Sequence, residues 1–155
     1  MPEGRTILYV AKDNPFMEAA RRVCATRSTD RKHPTGAVIV RDHVIIGAAA
    51  NQAGFRHPAL VRFHETTLCL RRVFRVPSGT HYWLCPGCAR PQNHSEPLAL
   101  KNARSHGHDT KDADLYLYGH WWCCEPCWRA ITEAGVRNVY LVEGATELFG
   151  DPVSV

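Results

Sequence analysis

The chain has 155 residues, 45% of them hydrophobic and 22% charged, which supplies core material for one globular domain and excludes a disordered or collagen-like chain. Nineteen Lys and Arg stand against 15 Asp and Glu, a net charge of +4; this suits an anionic partner such as a nucleotide but falls short of the dense basic stripe of a dedicated nucleic-acid binder. No apolar run approaches the ~20 residues of a spanning helix, and Met1 to Tyr9 lacks a basic-then-apolar leader pattern, so a soluble cytoplasmic protein with no membrane partner is expected.

After an apolar stretch at Ile7 to Val10, Asp13-Asn14-Pro15 offers a helix start, with Asp or Asn as cap and Pro in the first turn. Phe16, Ala19, Ala20, Val23 and Cys24 then recur at helical spacing, so Pro15 to about Arg27 reads as an amphipathic helix with Cys24 in its core face. Ser28 to Pro34 is a polar loop. Two β-rich runs, Gly36 to Val40 and His43 to Gly47, are separated by Arg41-Asp42, the spacing of an antiparallel hairpin, and Asn51 follows the second run.

From Gln52 to Asn93 the pattern becomes irregular, with Pro58, Pro77-Ser-Gly79 and Pro86-Gly87 and one helix expected around Leu60 to Val73. A connection of that length calls for a function or a staple of its own. Beyond it come a helix from about Asn93 to Arg104, a solvated loop with His106 and His108, and a strand at Asp114 to Tyr118. A helix from Cys124 to Ala134 stops at Gly135, and a strand covers Val136 to Val142. A brief helix near Thr146 to Phe149 and a strand stub at Val153 to Val155 close the chain. A hairpin followed by alternating helix and strand predicts a three-layer α/β/α fold around a mixed central sheet, one domain over 1–155 with 52–93 as an irregular insertion.

Seven Cys and nine His in so short a chain point to metal ligation, since no secretory leader suggests disulfides. Cys124-Glu-Pro-Cys127 opens one helix, where unpaired N–H groups and the helix dipole favour thiolates, and His94-Ser-Glu96 opens another. Two Cys and one His make three ligands, which leaves the fourth position of a tetrahedral zinc to water, the arrangement of a catalytic rather than a structural site. Glu96, two residues past the His, is suited to move protons beside that water. An inert site closed by Cys123 is the alternative. A second pair, Cys85-Pro-Gly-Cys88, can close a structural zinc site with Cys69 and His64, His57 and His81 being substitutes; such a site would order the insertion.

These motifs in this order (hairpin, Asn51, His94-Ser-Glu96, strand, Cys124-x-x-Cys127, helix, Gly135, strand) resemble the zinc-dependent cytidine deaminase superfamily. Arg27-Ser-Thr-Asp30 with Thr35-Gly-Ala-Val-Ile-Val-Arg-Asp42 and Ile45-Ile-Gly47 is similar to the opening of deoxycytidylate deaminases. The resemblance implies that His94, Cys124 and Cys127 hold zinc, that Glu96 shuttles the proton and that Asn51 touches substrate. It also implies Ser95 beside the base carbonyl, Arg27, Arg31 and Lys32 facing a phosphate, a second zinc before the H-x-E helix, and a homo-oligomer. Trp121 and Trp122, just before the Cys pair, would stack on a base or serve as core. The alternative for Asn51 is a cap on a strand exit.

The sequence also departs from the pattern: Cys123 stands where Pro is usual, Ser95 where Ala is common, and the G-Y-N-G-x-P stretch is missing after Ala50. A ligand swap between Cys123 and Cys124 is therefore open, although Gly135, eight residues after Cys127, favours Cys124. The chain ends soon after Val142, so a fifth strand and the helix after it are expected to be curtailed. The expected activity is hydrolytic deamination of a free cytosine nucleotide, dCMP to dUMP with release of ammonia. Editing of a base in tRNA or single-stranded DNA, and a catalytically silent zinc module, are the alternatives.

Overall fold

The structure, a computed structural model, describes residues 6–77 and 80–150; the strand stub expected at 153–155 lies outside them. Helix α1 (Pro15–Arg27) has the expected bounds. Its cap is Asn14, whose Oδ1 accepts the backbone N–H of Phe16 at 3.0 Å and of Met17 at 3.2 Å, two of the donors that a helix start leaves open. Met17, Ala20 and Cys24 form its buried stripe.

The hairpin consists of β2 (Gly36–Arg41) and β3 (Val44–Ala50). Its two loop residues are Asp42 and His43, with φ of 50° and 62°, the left-handed pair that matches strand twist without a glycine. The pairing shifts between Ile39 and Val40, a bulge in β3. Because β3 runs to Ala50 rather than stopping at Gly47, it delivers Asn51 directly to the strand exit.

Strands β4 (Asp114–Tyr118), β5 (Asn138–Val142) and β1 (Ile7–Val10) complete a five-stranded sheet of order β1-β5-β4-β2-β3. β1, β5 and β4 run parallel, and β2 and β3 alternate against them. Among the described residues no strand follows β5, only the brief α6 (Ala145–Phe149), and the sheet edge beside β5 is taken by the N-terminal Ile7–Val10. β2 is buried on both faces, as its unbroken apolar run requires.

Cross-strand partners share a face, and Val38, Tyr116 and Tyr140 face α1, where Phe16 packs 5.3 Å from the Tyr116 ring. Helices α4 (Ser95–Ser105) and α5 (Glu125–Glu133) cover the opposite face, giving three layers. Gly135, at φ 70°, ends α5 in the left-handed region, as expected.

In the insertion the single helix expected over 60–73 is two: α2 (Pro58–Thr66) and α3 (Leu70–Val73). Cys69 between them is extended, φ −119° and ψ 111°, which turns its thiol inward toward Cys88, 3.6 Å away. No helix among the described residues is long and apolar enough to cross a membrane.

Candidate functional site

Two helix starts meet on one side of the sheet. His94 caps α4 (φ −71°, ψ 157°) and Cys124 caps α5 (φ −66°, ψ 157°), and neither cap offers a side-chain hydrogen bond to its own helix. Their side chains face each other instead. His94 Nδ1 lies 3.3 Å from Cys127 Sγ and 3.5 Å from Cys124 Sγ, and the two sulfurs are 3.3 Å apart. A tetrahedral zinc with Zn–S near 2.3 Å and Zn–N near 2.1 Å would set such edges at about 3.6–3.8 Å, so a movement of a few tenths of an ångström suffices for these three groups to hold the ion.

Electrostatics favour the ligand form at Cys124 alone, and metal binding would have to release protons from Cys127 and His94. The hydrogen bond with Cys127 outweighs burial and, with His94, brings the Cys124 thiol down to about 5, whereas that contact and burial push Cys127 up. Burial opposes charge on His94, but the Cys124 hydrogen bond and Glu96 prevail and raise its pKa. Cys123 is 0% exposed and stays outside the group of three, its thiol pushed well up by burial and by nearby Glu96. Cys124, and not Cys123, is thus the neighbour of His94.

Glu96 is buried beside this group. Its Oε2 accepts the Ser95 hydroxyl at 3.1 Å, and Ser95 Oγ is 3.0 Å from Thr35 Oγ1. Asn51 Oδ1 in turn accepts the Thr35 N–H at 2.9 Å and the Ser28 hydroxyl at 2.6 Å, and its Nδ2 donates to the His33 carbonyl at 2.8 Å. Asn51, 5% exposed, therefore spends most of its amide on tying the β3 exit to the loop before β2, the strand-exit role. The same bonds connect that exit to the carboxylate.

Trp121 and Trp122 are half-buried on the connection from β4 to α5, and Trp122 Nε1 is buried with no hydrogen-bond partner among the described residues. Between them and β4 sits His120, which sequence reasoning missed. Its Nδ1 accepts the backbone N–H of Trp121 at 3.1 Å and of Trp122 at 3.2 Å, and its ring stacks on Trp121 at 4.4 Å. Burial lowers its pKa to about 4, and an accepting Nδ1 places the proton of the neutral ring on Nε2. Tyr82, also missed, packs edge-on against His94 with ring centroids 5.0 Å apart, and the Arg71 guanidinium lies 4.4 Å above it. Neither residue belongs to a spacing motif, so no local signal marks them.

Arg27 is exposed at the end of α1, where it lines a cleft of about 400 Å³ with Ala48–Ala50, Leu98 and Lys101, a lining that does not include His94, Cys124 or Cys127. Arg31 and Lys32 turn to α2: the Arg31 N–H donates to Glu65 at 3.2 Å and Lys32 Nζ to the His64 carbonyl at 3.5 Å.

The second cluster assembles with the expected members. Ligand atoms of His64, Cys69, Cys85 and Cys88 all lie within 4.8 Å of one another; Cys85 Sγ is 3.4 Å from His64 Nδ1 and Cys88 Sγ 3.8 Å from Nε2. His57 instead caps α2, its Nδ1 accepting the Ala59 N–H at 3.2 Å, and His81 is exposed. Gly87 makes the approach possible, because a Cβ there would come 2.5 Å from the His64 ring. Burial lowers the His64 pKa, keeping the imidazole in its neutral, metal-binding form.

Residues 10–143 match the family model of the cytidine and deoxycytidylate deaminase zinc-binding region. Among solved structures, the dCMP deaminase of cyanophage S-TIM5 in complex with dCMP and dUMP is 20% identical over 85% of this chain and 82% of that one, with a TM-score of 0.51. Guanine deaminase from Bacillus subtilis is 20% identical over 87% of this chain and 68% of that one, TM-score 0.47. A diaminohydroxyphosphoribosylaminopyrimidine deaminase/5-amino-6-(5-phosphoribosylamino)uracil reductase from Thermotoga maritima is 22% identical over 81% of this chain, TM-score 0.49, and the chain spans only 28% of its length. No curated protein sequence matches the chain.

Proposed function

We infer the chemistry from one premise: the chain belongs to the cytidine and deoxycytidylate deaminase zinc-binding family, matched over residues 10–143. On that premise it is a hydrolytic deaminase of a cytosine nucleotide, converting dCMP to dUMP and ammonia. The observation that carries this reading is the convergence of His94 Nδ1, Cys124 Sγ and Cys127 Sγ within 3.3–3.5 Å beside a buried Glu96. His94, Cys124 and Cys127 hold the catalytic zinc, and His64, Cys69, Cys85 and Cys88 hold a structural one. When bound, the catalytic ion supplies Lewis acidity that makes water a usable nucleophile near neutral pH.

The protein's own groups do the rest. Ser95 fixes Oε2 of Glu96, leaving Oε1 to exchange a proton. Glu96 takes that proton from the attacking water and delivers it to the ring nitrogen beside the amine-bearing carbon. It then returns the second water proton to the amine, the C–N bond breaks, and ammonia leaves as the carbonyl forms. The Nε2–H of His120 offers a fixed donor for substrate, and Trp121 and Trp122 a stacking surface for the base. The same reading makes the protein a cytoplasmic homo-oligomer.

The test is the ultraviolet change when zinc-loaded protein meets dCMP, CMP, deoxycytidine, cytosine and adenosine in parallel. Turnover of dCMP that disappears in Glu96→Gln, with zinc content unchanged, is expected. Full zinc loading with none of the five compounds consumed would overturn the assignment.

A further inference from the structure

The charge of this chain is unevenly placed. Residues 52–93 carry six arginines (Arg56, Arg62, Arg71, Arg72, Arg75 and Arg90) and one acidic residue, Glu65, out of totals of 19 basic and 15 acidic residues. The rest of the chain, with 13 basic and 14 acidic residues, is close to neutral. The insertion is therefore the source of the net positive charge, and averaging over the whole sequence conceals it. None of the six arginines makes an ion pair among the described residues. Five of them are exposed, Arg71 being the half-buried one.

Large rings are exposed on the same segment. Trp83 is 76% exposed, Phe74 64% and Phe63 49%. They sit next to the cations in sequence: Arg62-Phe63 on α2, and Arg72-Val73-Phe74-Arg75 at the end of α3. A tryptophan and two phenylalanines left in water, with guanidinium groups beside the phenylalanines in sequence, suit an anionic partner with flat apolar parts. The segment is also tied to the candidate site, since Arg71 covers the Tyr82 ring, Tyr82 packs on His94, and Trp83 is the next residue.

We propose that the insertion is a docking surface for single-stranded nucleic acid, in which Arg62, Arg72 and Arg75 neutralise phosphates and Phe63, Phe74 and Trp83 stack on unpaired bases. A single strand satisfies both halves of the chemistry: its phosphates meet the arginines, and its unstacked bases meet the rings. A duplex hides its bases, and an anionic lipid surface, which also takes up rings and arginines, is distinguished by the vesicle arm of the test. Binding to this face goes beyond turnover of free dCMP and does not depend on it.

The experiment uses the full zinc-loaded chain and a fluorescein-labelled 15-mer of deoxycytidine, followed by anisotropy from 20 to 300 mM KCl. Expected is binding whose logarithm falls with the logarithm of salt at a slope of about −2 to −3.5, from about 0.7 per phosphate neutralised and five exposed arginines. The triple variant Arg62→Gln, Arg72→Gln, Arg75→Gln should flatten that slope by about 2, and Trp83→Ala should weaken binding on the order of 10-fold. All four side chains are exposed, so circular dichroism and zinc content should match the parent.

Absence of binding at 20 mM KCl, equal binding by the triple variant, or equal affinity for a 15-base-pair duplex or phosphatidylglycerol vesicles would each overturn the proposal. Ammonia release from dCMP, measured on the same preparations, keeps the two readings apart. A protein that binds the 15-mer but leaves dCMP intact retains the surface and loses the free-nucleotide activity. One that turns over dCMP without binding the 15-mer does the reverse.

Discussion

Gly87→Ala tests the second cluster without touching a ligand. A Cβ at position 87 would stand 2.5 Å from both Cγ and Nδ1 of His64 and 2.9 Å from its Cδ2. Ordinary contact begins near 3.4 Å, so the ring has to retreat by about 1 Å, whereas ligand distances in metal sites tolerate only about ±0.2 Å. His64 cannot yield easily, being 4% exposed on α2 with Cys85 and Cys88 on either side of its ring. The variant is expected to bind one zinc per chain instead of two under a mild chelator. With the staple gone, trypsin should cut at the exposed arginines of the insertion, Arg56, Arg62, Arg72 and Arg75. Metal counting by mass spectrometry and a digestion time course read both effects. A variant that keeps two zincs and resists trypsin as well as the parent would refute the reasoning.

Three further outcomes follow from the hydrogen bonds. Ser95→Ala removes the donor to Glu96 Oε2; a hydrogen bond to a charged group contributes about 1.5–3 kcal/mol, so kcat on dCMP should fall on the order of 10- to 100-fold with KM and zinc content nearly unchanged, and an unaltered kcat would remove Ser95 from the positioning role. Asn51→Ala leaves the Thr35 N–H, the Ser28 hydroxyl and the His33 carbonyl without their partner; a loss of about 2–4 kcal/mol in urea unfolding is expected, and a change below 1 would contradict the network. His120 has its folded-state pKa lowered to about 4, below an unfolded value near 6.5, so it adds stability above pH 6.5 that is lost as pH falls toward 4, on the order of 3 kcal/mol in all. His120→Asn, which can still accept the two backbone N–H groups, should therefore show a shallower fall of Tm between pH 6.5 and 4 than the parent; parallel curves would count against a buried neutral imidazole.

Local signals carried most of the fold. The bounds of α1 followed from Asn14-Pro15 and an apolar stripe, and the hairpin and the exit at Gly135 from strand and turn chemistry. The two metal-type clusters were legible because C-x-x-C and H-x-E are short-range patterns. Pairing of β1 with β5 was not, since no local feature of Ile7–Val10 names a partner more than a hundred residues away. Nor was the break at Thr67–Cys69, which the clustering of four distant side chains imposes on an otherwise helical stretch. His120, Tyr82 and Thr35 escaped because their roles arise from packing alone. Arg27, named from resemblance, lines the cleft beside Ala48–Ala50 and Leu98.

The two facing helix caps have a consequence for how this chain can vary in length. Cys124 caps α5 and Cys127 lies in its first turn, so one residue gained or lost between them would swing the second sulfur by about 100° and shift it about 1.5 Å along the axis. Insertions or deletions between Cys124 and Cys127 are thereby barred even where every side chain type is kept. The exposed stretch from Ser105 to Asp109, on the other end of α4, is under no such constraint, because it feeds β4 through a loop that holds neither cap. Length drift among related chains should accumulate there and be absent between Cys124 and Cys127.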